Sequence, residues 1–373
     1  LGDVYKRQIG TGSSGVQAIP ELAKQSEHLF VYQRSPVYTV PANRKAMRED
    51  VQAEFRRNYR EIRELQQLNF GGVSNFRLTE SIKRAVPKES QTARSSKILE
   101  ISEDQLKQMI SEQGLGVLLS FTDVYSDMRA NEIANQLFRE EISNIVEQQD
   151  VANSLLPKDY GLGCKRQVLD RDYYETFNRP DVTLIDLKQT PIERISPKGI
   201  VTGDSEQELD VIIYATGFDA MTGALLKSNI IGRQGKTLKE KWQFGPEAYL
   251  GLQIAGFPNL FTVTGPGSPS VLCNMLVAIE QHVNWIADCI DYIDSNGFSS
   301  IEPTNAAEQD WIAHVNEVAE GTMYTAPSCN SWYLGANIPG KPRIFMPYVG
   351  GFPQYKSRCD AIVQNHYEGF VIS

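Results

Sequence analysis

Three glycines near the start of the chain have the spacing of a loop that binds the pyrophosphate of a dinucleotide. Gly10, Gly12 and Gly15 form a G-x-G-x-x-G pattern, followed by the helix-compatible run 16–25 and the apolar stretch 29–32. In such a loop the first glycine allows a tight turn, the second lets a phosphate approach the backbone, and the third allows close helix–strand packing. The same triplet also occurs in plain strand–helix turns, so it does not decide between the two by itself.

The residues after the next apolar stretch indicate which nucleotide the loop would bind. Proteins that bind NAD place Asp or Glu there to contact the ribose hydroxyl, whereas this chain has Gln33-Arg34-Ser35, with Arg34 19 positions after Gly15. A guanidinium can bind a 2′-phosphate through two parallel hydrogen bonds. We therefore expect NADPH as the nucleotide; the alternative is that Arg34 is a solvated surface arginine.

Two adjacent cations, Lys165 and Arg166, follow Gly163-Cys164 where a loop is predicted to lead into a strand. Such a pair could contact two phosphates, or one phosphate and a developing anion, although its residue types alone favour a solvated basic pair. We assign no role to Cys164. Trp332 lies among Gly, Asn and Pro residues, where it is either a core side chain or a loop indole that donates to a polar partner.

Composition and charge exclude several other classes of protein. The 373 residues carry a formal charge of −9, with a pI near 5.2, so we expect no nucleic-acid partner. No apolar run approaches the length of a membrane span, and the cysteines lack C-x-x-C spacing, so we expect a cytoplasmic protein. Four widely separated histidines argue against a metal centre, and no Ser-His-Asp order, H-E-x-x-H motif or carboxylate pair is present. If the protein is a catalyst, its difficult chemistry must therefore come from a cofactor.

The pattern along the chain predicts more than one domain, since a single core rarely exceeds about 250–300 residues. Residues 5–8 are too polar for the centre of a parallel sheet, so we suspect that residues 1–8 are not native. From 48 to 156, charged segments with apolar residues at helical spacing predict a helical insertion. Buried strands are predicted at 209–214 and 260–263, and a helix at 274–293.

Six long stretches give the chain a resemblance to a known family. They are IGTGSSGVQ at 9–17, LFVYQRSPVYTVPA at 29–42, GCKRQVLDRDYYETFNRPDVTLID at 163–186, ELDVIIYATGFDA at 208–220, FPNLFTVTGPGSPSVLCNM at 257–275 and SWYLGANIPGKPRIFMPYVGG at 331–351. The chain resembles the Baeyer–Villiger monooxygenases, which are class B flavoproteins, from Ile9 to its end. The family's first G-x-G-x-x-G, its F-x-G-x-x-x-H-x-x-x-W signature and its active-site aspartate have no counterpart here, so we expect an N-terminally truncated fragment.

The resemblance implies an α/β fold with two Rossmann-like dinucleotide-binding domains, of which the FAD domain is incomplete, and a helical insertion. The implied parts are the NADP domain at 9–40 and 163–216, the helical insertion at 41–162, and the C-terminal part of the FAD domain at 217–373.

The family's functional residues carry over by motif. Those implied to bind cofactors are Gly10, Thr11, Gly12, Ser13, Ser14 and Gly15 at the NADP pyrophosphate, Arg34, Ser35 and Lys165 at its 2′-phosphate, Trp332 at the nicotinamide nucleotide, and Gly217 and Gly265 near the cofactors. Arg166 would be the catalytic arginine above the flavin. The ketone pocket would be shaped by Ser270, Val271, Leu272, Cys273 and Met275.

The implied activity is the NADPH- and O₂-dependent conversion of a ketone into an ester or lactone, with FAD as the second cofactor. We expect a monomer that acts on a small ketone and that does not retain FAD as this fragment. Three alternatives stay open: an S- or N-oxygenating flavin monooxygenase, an NADP-dependent flavin reductase, and an NADP-binding fragment without catalysis.

Overall fold

The computed structural model describes residues 5–42, 46–73, 97–203 and 205–373, which form two compact units. Among these residues, the first unit contains 5–42, 97–203 and 205–218, and the second contains 46–73 and 219–373. The strands are β1 Tyr5–Ile9, β2 His28–Gln33, β3 Thr39–Pro41, β4 Val168–Asp170, β5 Val182–Asp186, β6 Ile192–Ile195, β7 Gly199–Thr202, β8 Ser205–Glu208, β9 Val211–Tyr214, β10 Ile301–Pro303 and β11 Phe370–Ile372. The α-helices are α1 Ser13–Ala23, α2 Glu49–Arg57, α3 Tyr59–Gln67, α4 Glu103–Gln113, α5 Met128–Ile145, α6 Gln149–Leu155, α7 Gly223–Lys227, α8 Leu238–Lys241, α9 Met275–Ser295, α10 Asn305–Ala319 and α11 Phe352–Gln364.

The first unit is built on a parallel sheet in the order β5-β2-β1-β9. Helix α1 connects β1 to β2 and packs on the sheet through Val16 and Ile19, against Leu29 and Val31, all fully buried. In a parallel sheet the carboxyl ends of all strands lie at one edge. The glycine loop, Arg34 and the turn after β9 are therefore brought to the same edge, as the α/β prediction requires.

The prediction that residues 5–8 are too polar for a central strand is wrong. They form β1, which pairs with β2 on one side and β9 on the other. Its buried polar side chains find backbone partners: Lys6 Nζ donates to Gln25 O at 2.9 Å and Gln8 Nε2 donates to Gly10 O at 2.9 Å. A polar side chain can occupy a sheet when a carbonyl accepts its hydrogen bond.

Two predicted strands differ from the structure. Strand β9 is formed but is half-exposed, with Tyr214 61% exposed, because it is an edge strand of this sheet. Residues 260–263 form no strand; Phe261 makes a single antiparallel bridge to Gln253, which lies in a turn. The predicted helix at 274–293 is confirmed as α9.

The predicted insertion 41–162 is divided between the units. Its described residues are largely helical, but 46–73 belong to the second unit, whereas 97–162 belong to the first. The turn after α3 is hydrogen-bonded to the rest of the second unit through its backbone. Gly71 O accepts from Asn274 N at 2.8 Å, and Phe70 O accepts from Phe352 N at 2.9 Å.

The second unit packs α9, α10 and α11 around an aromatic core that includes Trp285, Trp311 and Tyr355. The pair β10–β11 is antiparallel. Among the described helices of both units, none combines the length and the apolar character that a membrane span requires.

Candidate nucleotide-binding site

The three glycines of the loop between β1 and α1 have three different surroundings. Gly10 has φ of +107°, and a Cβ there would overlap with Ala215 O. A Cβ on Gly15 would overlap with Gly10 O, so this glycine is required where the helix packs closely on the strand. A Cβ on Gly12 would have no atom within 4 Å. Chain packing therefore explains Gly10 and Gly15, whereas Gly12 borders open space.

The open space lies at the N-terminus of α1, where backbone N–H groups face outward. Gly12 is the N-cap residue and provides no side-chain cap, and the first turn contains no acidic residue. Ser13 and Ser14 in that turn are exposed. Uncapped amides together with the helix dipole attract an anion, so this end of α1 has the chemistry of a phosphate site.

Arg34 is held beside the glycine loop by the residues on either side of it. Gly10 N donates to Tyr32 O at 3.0 Å, and the buried Thr11 Oγ1 donates to Ser35 O at 3.1 Å. Arg34 itself is exposed at the carboxyl end of β2. Its guanidinium is thus accessible on the same edge of the sheet as Gly12.

Strands β3 and β4 bring the Lys165 loop to Arg34. They pair in parallel with Thr39 opposite Val168, and these residues follow Arg34 and Lys165 by five and three positions. Burial, and to a smaller extent the charge of the nearby Arg34 guanidinium, lowers the pKa of Lys165 to about 8. Two cations that repel one another at an open site are arranged to receive an anion.

Sequence reasoning missed Tyr160, whose ring positions Lys165. The Lys165 ammonium lies 3.9 Å from the centre of the Tyr160 ring, and the Tyr160 hydroxyl donates to Pro36 O at 2.7 Å. The half-buried Lys165 is therefore tied to the segment that follows Arg34. Arg166 is exposed next to it. A tyrosine five positions before a lysine carries no sequence signal for this contact.

Comparison with known proteins places this geometry in a family. No protein-family profile matches the chain. Among curated proteins, it is 36% identical over 367 residues to a Baeyer–Villiger monooxygenase of Pseudooceanicola batsensis, covering 97% of this chain and 64% of that protein. It is 34% identical over 371 residues to a phenazine N-monooxygenase of Lysobacter antibioticus, covering 98% of this chain and 64% of that protein.

Solved structures match the fold of this chain over nearly its whole length. The structure of cyclohexanone monooxygenase from Rhodococcus sp. Phi1 bound to NADP⁺ matches with a TM-score of 0.89 and 33% identity, covering 99% of this chain and 67% of that one. The chain belongs to the Baeyer–Villiger monooxygenase family. The structure of OTEMO in complex with FAD and NADP matches with a TM-score of 0.88 and 34% identity, covering 99% of this chain and 66% of that one. The chain spans less than two thirds of the length of the curated Baeyer–Villiger relative.

The other positions that the Baeyer–Villiger family motifs single out are distributed over both units. Gly217 is exposed in the first unit, with φ of +86°. Gly265 lies in the second unit, where a Cβ would come within 2.7 Å of Gly251 O, so internal packing already requires a glycine there. Trp332 begins a short 3₁₀ turn in the second unit and its ring contacts that of Tyr333 edge-on.

The stretch expected to shape a ketone pocket forms a compact turn ahead of α9. Ser270–Leu272 is a 3₁₀ turn, and Ser270 is fully buried with φ of +44°. Its hydroxyl contacts Met221 Sδ at 3.4 Å. Burial raises the pKa of Cys273 to about 12, so this thiol stays protonated and is not a nucleophile. Met275 follows as the first residue of α9.

Proposed function

We propose that the first unit binds NADPH, and that the chain acts as part of an NADPH- and FAD-dependent monooxygenase that uses O₂ to convert small ketones into esters or lactones. The observation that carries the nucleotide assignment is the open Gly12 face at the uncapped end of α1, with Arg34 and Lys165 at the same sheet edge. The membership of the Baeyer–Villiger family supports the rest.

Each element of this edge would contact a different part of the nucleotide. The backbone from Gly10 to Gly15, with the hydroxyls of Ser13 and Ser14, would hold the pyrophosphate at the N-terminus of α1. Arg34 and Lys165, with Ser35, would bind the 2′-phosphate. A phosphate dianion favours the charged form of Lys165, so binding would raise the depressed pKa of that side chain.

Arg166 is the proposed catalytic arginine. FAD, when bound, would supply the redox chemistry between NADPH and O₂. Arg166 is exposed, and its guanidinium would stabilise negative charge on the ketone oxygen as that charge develops. The turn Ser270–Leu272, with Cys273 and Met275, would shape the ketone pocket, and Trp332, Gly217 and Gly265 would contact the cofactors.

The nucleotide assignment is tested by titrating NADPH and NADH into the protein and its Arg34→Ala and Lys165→Ala variants. Each lost charge-assisted hydrogen bond should weaken NADPH binding by about 10–100-fold and leave NADH binding nearly unchanged. Lys188→Ala is the matched control, since Lys188 also acts on Lys165 electrostatically but pairs with Asp159. Equal losses for both nucleotides in Arg34→Ala would mean that this residue supports the fold instead.

A second candidate is oxygenation at nitrogen or sulfur. The specific observation in its favour is the phenazine N-monooxygenase relative at 34% identity. An FAD-loaded form of the enzyme supplied with a ketone or with a heteroaromatic amine distinguishes the two by which product forms. Nucleotide binding without any product would leave only the non-catalytic alternative.

A further inference from the structure

Two asparagines on α5 bind the backbone of one residue, Leu162, in the loop that carries Lys165. Asn131 Nδ2 donates to Leu162 O at 2.8 Å, and Asn135 Oδ1 accepts from Leu162 N at 2.8 Å. The two residues are four positions apart, so they lie on one face of the helix, and both are only 4% exposed. The helical insertion is therefore hydrogen-bonded to the loop through both the backbone N–H and the C=O of Leu162.

The hydrogen bonds of this pair are completed within the unit. Asn135 Nδ2 donates to Asn131 Oδ1 at 2.9 Å, and the other Asn131 Nδ2 hydrogen donates to Val124 O at 2.7 Å. A buried amide network of this kind has essentially one arrangement, because losing any partner leaves a polar atom unpaired in the interior. The position of Leu162 is thereby fixed relative to α5.

The loop backbone packs closely on either side of Leu162. A Cβ on Gly161 would overlap with Asn131 Oδ1, so the backbone lies directly against the asparagine. Gly163 takes φ of +84°, which turns the chain. Lys165 then lies over Tyr160, the residue just before Gly161, and the Tyr160 hydroxyl binds Pro36 O.

We infer that Asn131 and Asn135 are positioning residues for nucleotide specificity: by fixing the Leu162 peptide they hold Lys165 beside Arg34 and so set the preference for NADPH over NADH. The helical insertion thus contributes to nucleotide choice although it supplies no residue that touches the phosphate. The inference rests on the proposed contact between Lys165 and the 2′-phosphate.

The experiment measures dissociation constants for NADPH and NADH in Asn135→Ala and in Gly161→Ala, which disturbs the same contact from the loop side. In each variant NADPH binding should weaken about tenfold while NADH binding changes less than about twofold. Hydrogen exchange at the Leu162 amide should become faster in Asn135→Ala. If Asn135→Ala does not fold, the dissociation constants of Gly161→Ala provide the test.

The matched control is Asn178→Ala. Asn178 also makes two side-chain hydrogen bonds to backbone near α5, donating to Ile145 O at 2.8 Å and accepting from Glu147 N at 2.9 Å, at the end of the helix away from Asn131. The Asn178→Ala substitution should lower the stability of the protein without changing the ratio of NADPH to NADH affinity. A ratio that is unchanged in Asn135→Ala or Gly161→Ala, or that falls equally in Asn178→Ala, would overturn the inference.

The Lys165→Ala variant separates this inference from the proposed function. If Lys165→Ala itself leaves the NADPH to NADH ratio unchanged, the proposed role of Lys165 fails, and the inference fails with it. If Lys165→Ala lowers the ratio and Asn135→Ala and Gly161→Ala do not, only the asparagine inference fails.

Discussion

Substituting the three loop glycines one at a time by alanine should separate nucleotide binding from folding. The structure predicts that Gly12→Ala folds normally and binds NADPH poorly, because its new methyl group would meet no protein atom and would project into the space proposed for the pyrophosphate. Gly10→Ala and Gly15→Ala should instead be destabilised, because their methyl groups would overlap with backbone carbonyl oxygens.

The expected change in stability for Gly12→Ala is close to zero because two effects offset each other. Gly12 has φ of −76° and ψ of −172°, which alanine adopts without strain. Alanine restricts the unfolded chain, which stabilises the fold by about 0.4–1 kcal/mol. Alanine is a poorer N-cap residue than glycine, which costs about the same amount. Gly15→Ala should lose about 1–3 kcal/mol through overpacking.

Urea denaturation gives the free energy of unfolding of each variant, and calorimetric titration gives its NADPH affinity. Gly12→Ala should bind NADPH at least about tenfold more weakly, which corresponds to about 1.4 kcal/mol. Gly116→Ala is the matched control, since Gly116 is a first-unit glycine whose Cβ would also have no atom within 4 Å. Parental NADPH affinity in Gly12→Ala, or a loss of stability as large as that of Gly15→Ala, would refute the assignment of this face to the pyrophosphate.

Three further predictions concern the charge of Lys165, the role of Arg166 and the binding of FAD. The ratio of NADPH to NADH affinity should fall as the pH rises through about 8, because a neutral Lys165 no longer attracts the phosphate. In Arg34→Ala this fall should occur at higher pH, because the positive charge that lowers the pKa of Lys165 has been removed. Titrations across this range at constant ionic strength check both statements, and a fall at the same pH in Arg34→Ala would contradict them. In an FAD-loaded form of the enzyme, Arg166→Ala should lower ester formation by about 10²–10³-fold while flavin reduction by NADPH changes little, and Arg166→Lys should restore little of the lost activity. Stopped-flow measurement of flavin reduction, together with the yield of ester, tests this. Near-parental ester yield in Arg166→Ala would leave Arg166 without a catalytic role. The purified 373-residue chain should be colourless, because the one G-x-G-x-x-G in its sequence lies at the proposed NADPH site, and stoichiometric flavin absorbance would show this expectation to be wrong.

Sequence alone was sufficient where the signal is local. The G-x-G-x-x-G turn, the strand before Arg34 and helix α9 each depend on residues within a short stretch, whose backbone preferences and hydrophobic spacing act at short range. The family resemblance came from six long motifs, and the α/β class was what that resemblance implied.

The tertiary structure decided the questions that depend on residues far apart in the chain. Polar residues 5–8 form a central strand between β2 and β9, where Lys6 Nζ donates to the carbonyl of Gln25, 19 positions further along the chain; no count of apolar residues can anticipate this partner. Likewise, only the packed fold distinguishes Gly12, which faces open space, from Gly15, which faces a carbonyl oxygen.

The charged edge of the site shows the same division. The nucleotide-binding role of Arg34 was proposed from its place after β2, whereas Lys165 alone had the features of a solvated cation. The surroundings of Lys165 are formed by the parallel pairing of β3 with β4, by the Tyr160 ring and by the asparagines of α5. No sequence motif contains these contacts. Local sequence sets backbone conformation, but the electrostatic environment of a side chain is set by the neighbours that folding brings to it, and so the charge and position of Lys165 were determined only by the tertiary structure.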